Sequence, residues 1–323
     1  MTALTIAVTG SSGFVGRNAL AKLQERGHRL KILMRRADNM HVPASVEVIT
    51  GSLADESALR KLCAGTDVVL HLAGAIKAAN QRAFFEVNEK GTRNLVLAAG
   101  ATGVRRFIHV SSLAARKPEI SPYAASKCAA EVAVQGARGL EACIIRPAAV
   151  YGPGDVATLP LLKSLMGTIA VLPGLSDSRF SLIHVDDLAS ILADAVTQAR
   201  QGVLEVDDLS GGYGWRDLID VTRSQFSKPD RCFHLPRSVA MFVGHGADVW
   251  AGLTGQPQMI SAGKFREMYE PDWVVTGANW PRTNPIPLSA GLPGTIRWYQ
   301  AQGLLPRTGT ADTRRGQSGP SSP

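Results

Sequence analysis

The chain has 323 residues, a formal net charge of +8 and 45% hydrophobic residues, which suits a large α/β unit with a smaller companion. No Lys/Arg-rich cluster is interleaved with aromatics, so the charge argues against nucleic acid and for an anionic cofactor or attraction to anionic lipid. Cys63, Cys128, Cys143 and Cys232 are scattered, with no histidine at ligand spacing, so no disulfide framework and no metal centre are expected, and a reduced, cytoplasmic setting is.

Short β-branched runs alternate with longer helical stretches through the first half, the pattern of a parallel sheet flanked by helices. Leu4–Thr9 is the first expected strand, and it starts too early to leave room for a signal peptide. Phe14–Arg26 reads as helix, Arg29–Met34 and Val46–Thr50 as strands, Asp55–Ala64 as helix and Asp67–Leu72 as strand. A long helix follows over Ala83–Ala101, then strand Arg105–Val110, helix Pro122–Gly136 and strand Ala142–Arg146, ended by Pro147. Beyond Tyr151-Gly152-Pro153-Gly154 the alternation loosens, with short amphipathic helices at Pro160–Met166 and Trp215–Gln225. The expected fold class is therefore α/β: a Rossmann doubly wound parallel sheet over residues 1–154, then a mainly substrate-binding domain over 155–306. Residues near 183–206 are expected to return to the first domain, and Arg307–Pro323 to form a disordered tail. No run is convincing as a spanning helix; Val156–Gly174 comes nearest and is interrupted by Pro160, Lys163 and Pro173.

Two motifs carry the chemistry. Thr9-Gly10-Ser11-Ser12-Gly13-Phe14-Val15-Gly16 joins the first strand to the first helix. Glycines there let backbone approach a pyrophosphate, and the helix start offers free N–H groups and its positive dipole end. Strand two ends in Leu33-Met34-Arg35-Arg36, without the carboxylate that would hold the ribose hydroxyls of NAD. Arg35 and Arg36 suit a 2′-phosphate, so NADP is preferred and NAD remains open.

The second motif is Tyr123-Ala124-Ala125-Ser126-Lys127. Four residues apart on a helix, Tyr123 and Lys127 share a face, and an adjacent ammonium is expected to lower the phenol pKa towards neutrality. Lys127 also suits the nicotinamide ribose hydroxyls. Ser112, just past a strand end, is placed to bond a substrate oxygen.

With these motifs in this order, the chain resembles the extended short-chain dehydrogenase/reductase superfamily over roughly residues 1–300. Further matching segments are His71-Leu72-Ala73-Gly74, Val87-Asn88-Glu89-Lys90-Gly91-Thr92, Arg146 to Gly154, and Ile183-His184-Val185-Asp186-Asp187-Leu188-Ala189. The resemblance implies Ser112, Tyr123 and Lys127 as the catalytic set, with Ser111 the less suitable serine, and Asn88 as a structural or proton-relay residue. It implies cofactor contacts from Gly10, Ser12, Gly13, Phe14, Val15, Arg35, Arg36, Ser52, Leu53, Leu72, Ala73, Gly74, Tyr123, Lys127, Pro147 and Val150. His184 reads as structural, and Asp186 and Asp187 as helix caps.

The chain departs from sugar-nucleotide members of that superfamily. Gly51-Ser52-Leu53 stands where Gly-Asp-Leu is commoner, the Ser112–Tyr123 connection is short, and Leu172–Arg179 lacks their usual glycine and arginine pattern, leaving Arg179 as an anion contact. Leu159–Met166 and Val239–Leu253 are strongly apolar, as a small-domain core or a greasy cleft would be. The late segment Ile260–Met268 with Asp272-Trp273 resembles the 3β-hydroxysteroid dehydrogenase-like and bacterial keto-lipid reductase branch. The expected activity is NAD(P)-dependent hydride transfer to or from a hydrophobic keto/hydroxy lipid, steroid-like or ceramide-type; Val239–Leu253 is left open as core, cleft lining or a peripheral membrane contact. Two alternatives stay open: a nucleotide-sugar epimerase or dehydratase, and a non-catalytic nucleotide-binding assembly subunit.

Overall fold

The computed structural model describes residues 3–36, 42–167, 169–226 and 231–306; the expected tail over 307–323 lies outside them. The first half alternates as β1 (Thr5–Thr9), α1 (Phe14–Glu25), β2 (Arg29–Met34), β3 (Val46–Thr50), α2 (Glu56–Cys63) and β4 (Val68–His71). It continues with α3 (Gln81–Phe85), a π turn (Glu86–Lys90), α4 (Gly91–Ala101), β5 (Arg106–Val110), α5 (Pro122–Gln135) and β6 (Glu141–Pro147). Side-chain caps fix two helix starts: Asp55 accepts from Ala58 N at 3.0 Å, and Ser121 accepts from Ala124 N at 3.0 Å.

The later chain forms β7 (Ala149–Tyr151), α6 (Leu159–Leu165), β8 (Ile169–Leu172), β9 (Arg179–Phe180), β10 (Leu182–His184), α7 (Val185–Ala195) and β11 (Gly202–Val206). It ends with β12 (Tyr213–Gly214), α8 (Trp215–Arg223), β13 (Arg231–His234), α9 (Arg237–Thr254), α10 (Ala262–Met268), β14 (Asp272–Trp273) and α11 (Leu288–Ala301).

The seven-stranded sheet runs β3-β2-β1-β4-β5-β6-β11, with every neighbour parallel. Strand order reverses between β1 and β4, and the crevice outside the carboxyl ends of such strands is where an α/β sheet takes its ligand. One core layer joins Ile6, Val8 and Ile32 of the sheet to Leu20 and Leu23 of α1 and Leu188 and Leu192 of α7. The other face packs Val69, Phe107 and Ile144 on Leu59, Leu62, Leu95 and Val134. An Arg26–Asp194 ion pair at 2.7 Å ties α1 to α7.

A third apolar cluster holds Leu162, Leu165, Leu172, Leu218, Leu292 and Ile296 together, with Leu159, Leu161 and Met166 packed on it. Within Leu159–Met166, Leu162 and Leu165 are thus core, and Leu159, Leu161 and Met166 are partly buried against it. In α9 only Ala240, Gly244 and Ala251 are fully buried and Met241 packs beside them, while Val239, Phe242, Val243, Val249, Trp250 and Leu253 point outward. Among the described residues no helix is long and apolar enough to cross a membrane.

Candidate active site

The glycine loop sits at the switch between β1 and β4. Gly10 has φ +77°, and a Cβ there would meet Ala73 N at 2.5 Å, so strand-to-turn contact is backbone on backbone. A Cβ on Gly16 would collide with Gly10 O, so α1 rests directly on the turn. Gly13 is the N-cap, has no side chain to spend on the first N–H groups, and no acidic residue occupies the first turn of α1. Those N–H groups and the dipole end are left for an anion, and the pyrophosphate of a dinucleotide fits them.

The other expected contacts cluster at the same sheet edge. Ser12, Phe14 and Val15 surround the start of α1, Leu72, Ala73 and Gly74 follow β4, and Pro147 and Val150 bracket the exit from β6. Ser52 and Leu53 follow β3; the Ser52 hydroxyl accepts from Ala54 N at 3.2 Å, and Leu53 O accepts from Asn94 Nδ2 at 2.9 Å. Arg35 and Arg36 are exposed past the end of β2.

Ser112, Tyr123 and Lys127 converge beside that edge, Ser112 capping the turn after β5 and the other two on the first turns of α5. Ser111 is turned away: its hydroxyl donates to Glu131 Oε1 at 2.5 Å. Glu131 also receives Arg146 Nε at 2.9 Å and Nη2 at 2.6 Å. Lys127 Nζ donates to Val110 O at 2.9 Å, which anchors the ammonium to the end of β5.

The expected lowering of the tyrosine pKa is overturned. Burial pushes the Tyr123 phenol up to about 12; the Ser112 hydroxyl works against this and the Glu267 carboxylate adds to it. Burial also pulls Lys127 down to about 8, with Glu131 in partial opposition. Desolvation of both groups outweighs their spacing on the helix. The phenol is therefore a hydrogen-bond donor at neutral pH.

Behind the pair lies a hydrogen-bonded chain that joins the motif segments to one another. Thr92 donates to Asn88 O at 2.5 Å, so His71 Nε2–H donates to Thr92 Oγ1 at 2.8 Å and Thr9 donates to His71 Nδ1 at 2.6 Å. Burial holds His71 neutral, its pKa lowered to about 3. Asn88 sits in the π turn, its Oδ1 accepting from Ala75 N at 2.6 Å and its Nδ2 donating to Ser126 Oγ at 2.8 Å. Ser126 in turn donates to Tyr123 O at 2.8 Å, which links the β4 edge to the tyrosine's backbone.

The connection from Ser112 to Tyr123 is fastened by the late chain. Ser121 donates to Glu267 Oε1 at 2.5 Å, Lys117 pairs with Glu270, and Arg116 donates to Val274 O at 3.0 Å. Glu267 lies 146 positions from Ser121, so no local spacing could reveal it. Glu131 was legible in principle, four residues beyond Lys127. His184, not Asp186 or Asp187, caps α7: its Nδ1 accepts from Asp186 N at 3.3 Å, while Asp187 accepts from Ile286 N at 2.8 Å. Arg179 donates to Gly211 O and Gly212 O, at 3.1 and 3.0 Å, instead of standing ready for an anion.

A parallel Rossmann sheet with a glycine loop and a Ser/Tyr/Lys cluster at its carboxyl edge defines a nicotinamide-dependent oxidoreductase of the extended short-chain type. Residues 6–207 match the NAD dependent epimerase/dehydratase family, and the chain belongs to that family. It is 40% identical over 311 residues to a ceramide reductase of Caulobacter vibrioides, covering 94% of this chain and 96% of that one. It is 29% identical to a 3 beta-hydroxysteroid dehydrogenase/Delta 5-->4-isomerase of Mycobacterium tuberculosis, over 57% of each chain. Among solved structures, WbmH of Bordetella bronchiseptica in complex with NAD+ superposes with TM-score 0.72 at 18% identity, covering 93% of this chain and 99% of that one. At that identity the likeness is one of fold.

Proposed function

We propose that this chain reduces the keto group of a long-chain lipid, of ceramide type first and steroid-like second, with NADPH as the preferred donor. The observation that carries this is 40% identity to a ceramide reductase along nearly the whole of both chains. Tyr123 beside Ser112 is the group placed to give the substrate oxygen its proton in the reductive direction.

The proposed division of labour follows from the positions above. Gly10, Gly13 and the start of α1 would hold the pyrophosphate, with Ser12, Phe14 and Val15 around it. Ser52, Leu53, Leu72, Ala73 and Gly74 would flank the adenosine, and Arg35 and Arg36 would pair with a 2′-phosphate. Pro147 and Val150 would lie beside the nicotinamide, and Lys127 would reach its ribose. The bound cofactor supplies the hydride. Ser112 orients the substrate oxygen, Tyr123 delivers the proton to it, and the Asn88–Ser126 contacts hold the tyrosine's helix in place. Residues 1–154 would bind the dinucleotide and 155–306 most of the substrate. We further propose a cytoplasmic enzyme in peripheral contact with the membrane that carries its substrate.

Oxidation of NADPH and NADH, followed at the nicotinamide absorbance, tests the proposal with a long-chain 3-ketosphinganine or ketoceramide, a 3-ketosteroid and UDP-sugars. Keto-lipid turnover favouring NADPH is expected, and replacing Arg35 and Arg36 by serine should cost about tenfold or more in apparent NADPH affinity. UDP-sugar conversion without keto-lipid turnover would replace this function by the epimerase alternative. Silence on the whole panel would favour the non-catalytic alternative, against which the retained Tyr123, Lys127 and Ser112 already weigh.

A further inference from the structure

Helix α9 is built the wrong way round for a protein core. Its inward residues are Ala240, Gly244 and Ala251, and a Cβ on Gly244 would meet Ala262 N at 2.7 Å, so α9 lies almost backbone-to-backbone against α10. Its large side chains, Val239, Phe242, Val243, Val249, Trp250 and Leu253, recur at helical spacing on a separate face. Phe242 is 82% exposed, Leu253 80% and Trp250 60%. No charged residue interrupts that face; Asp248 is exposed on the flank towards α10, where it accepts from Ala262 N at 3.1 Å.

The surroundings are basic. Arg237 opens α9 and Arg266 stands exposed on α10, and neither has a carboxylate partner among the described residues. The acid on α10, Glu267, is buried and already bound by Ser121 and Lys264. An uninterrupted apolar stripe with a tryptophan, on a helix pair that carries exposed Arg237 and Arg266 in a chain of charge +8, matches an anionic bilayer surface.

From this we infer that α9 lies in the plane of an anionic membrane, its Phe242–Trp250–Leu253 face among the lipid chains. The inference borrows from the proposed function only the lipid nature of the substrate. Its placement is informative: α9 packs on α10, and α10 grips Ser121, two residues before Tyr123. A bilayer under α9 would thus sit one helix away from the reacting tyrosine, and a lipid could enter the cleft without crossing water.

Flotation of the full chain with phosphatidylcholine vesicles, with and without phosphatidylglycerol, tests this directly. Binding to the anionic vesicles is expected, weakened by salt, and reduced at least about tenfold in a Phe242→Glu, Trp250→Glu, Leu253→Glu variant. Quenching of tryptophan fluorescence by brominated lipid, lost in Trp250→Phe, gives a second readout if the triple variant folds poorly. Equal flotation of wild type and variant, or no flotation of either, would overturn the inference. So would a wild-type dimer that the triple variant dissociates, because the face would then belong to a second copy. Neither readout involves turnover, so vesicle binding without keto-lipid reduction would reject the substrate and keep the surface.

Discussion

At the scale of single residues, the site separates two serines and two titrations. Ser111 serves the buried Glu131–Arg146 pair, and Ser112 faces the phenol. Tyr123→Phe should lower turnover by roughly a hundredfold to ten-thousandfold while NADPH affinity, read by fluorescence titration, stays close to wild type. Near-normal turnover in that variant would remove Tyr123 from its role. The pH dependence has a defined sign. Tyr123 stays protonated up to about 12, whereas Lys127 loses its proton near 8. The reductive kcat/KM should therefore fall as pH rises through about 8, and Lys127→Arg should carry whatever activity it retains to higher pH without that fall. A wild-type profile flat past this range would show that the ammonium is not needed. The Tyr-x-x-x-Lys spacing revealed which residues meet but not their pKa values, because desolvation depends on packing that no four-residue window records.

At the scale of elements, strands and glycine turns were legible because each is a local pattern: β2 and β3 have the bounds read from the sequence. The helix expected over Ala83–Ala101 instead contains a π turn at Glu86–Lys90. Its cause is tertiary, since Asn88 must satisfy both Ala75 and Ser126. The histidines of β4 and β5 carry a consequence for stability. His71 is bonded on both ring nitrogens, but His109 is buried beside it with neither nitrogen partnered among the described residues. Burial and the Lys127 charge hold both pKa values below 6.5. Their neutral burial stabilises the fold above the unfolded-state value, and that stability is lost as pH falls below it. His109→Leu removes one such group and an unpartnered polar side chain. Thermal unfolding should show the variant at least as stable as wild type near neutrality, with a shallower loss of Tm towards about pH 5. A variant several degrees less stable at every pH would mean that His109 has a partner it depends on.

At the scale of the whole molecule, a seven-stranded parallel sheet gathers ligand-facing loops at one edge, and residues 267–276 of the late chain clasp the segment between Ser112 and Tyr123. The sheet and its motifs were readable because their periodicity is local. The role of Val239–Leu253 was not, because an apolar helical stripe looks the same whether it faces a core, a cleft or a bilayer. Only the inward Ala240, Gly244 and Ala251 settle that Phe242, Trp250 and Leu253 face outward. The central claim is hydride transfer to a lipid carbonyl, and deuterium tracing tests it most directly. With NADPH deuterated at the transferring position of the nicotinamide and a long-chain 3-keto sphingolipid, mass spectrometry should find one deuterium on the new carbinol carbon, absent with Tyr123→Phe. Unlabelled lipid recovered from the wild-type enzyme, with its ketone intact, would contradict the account.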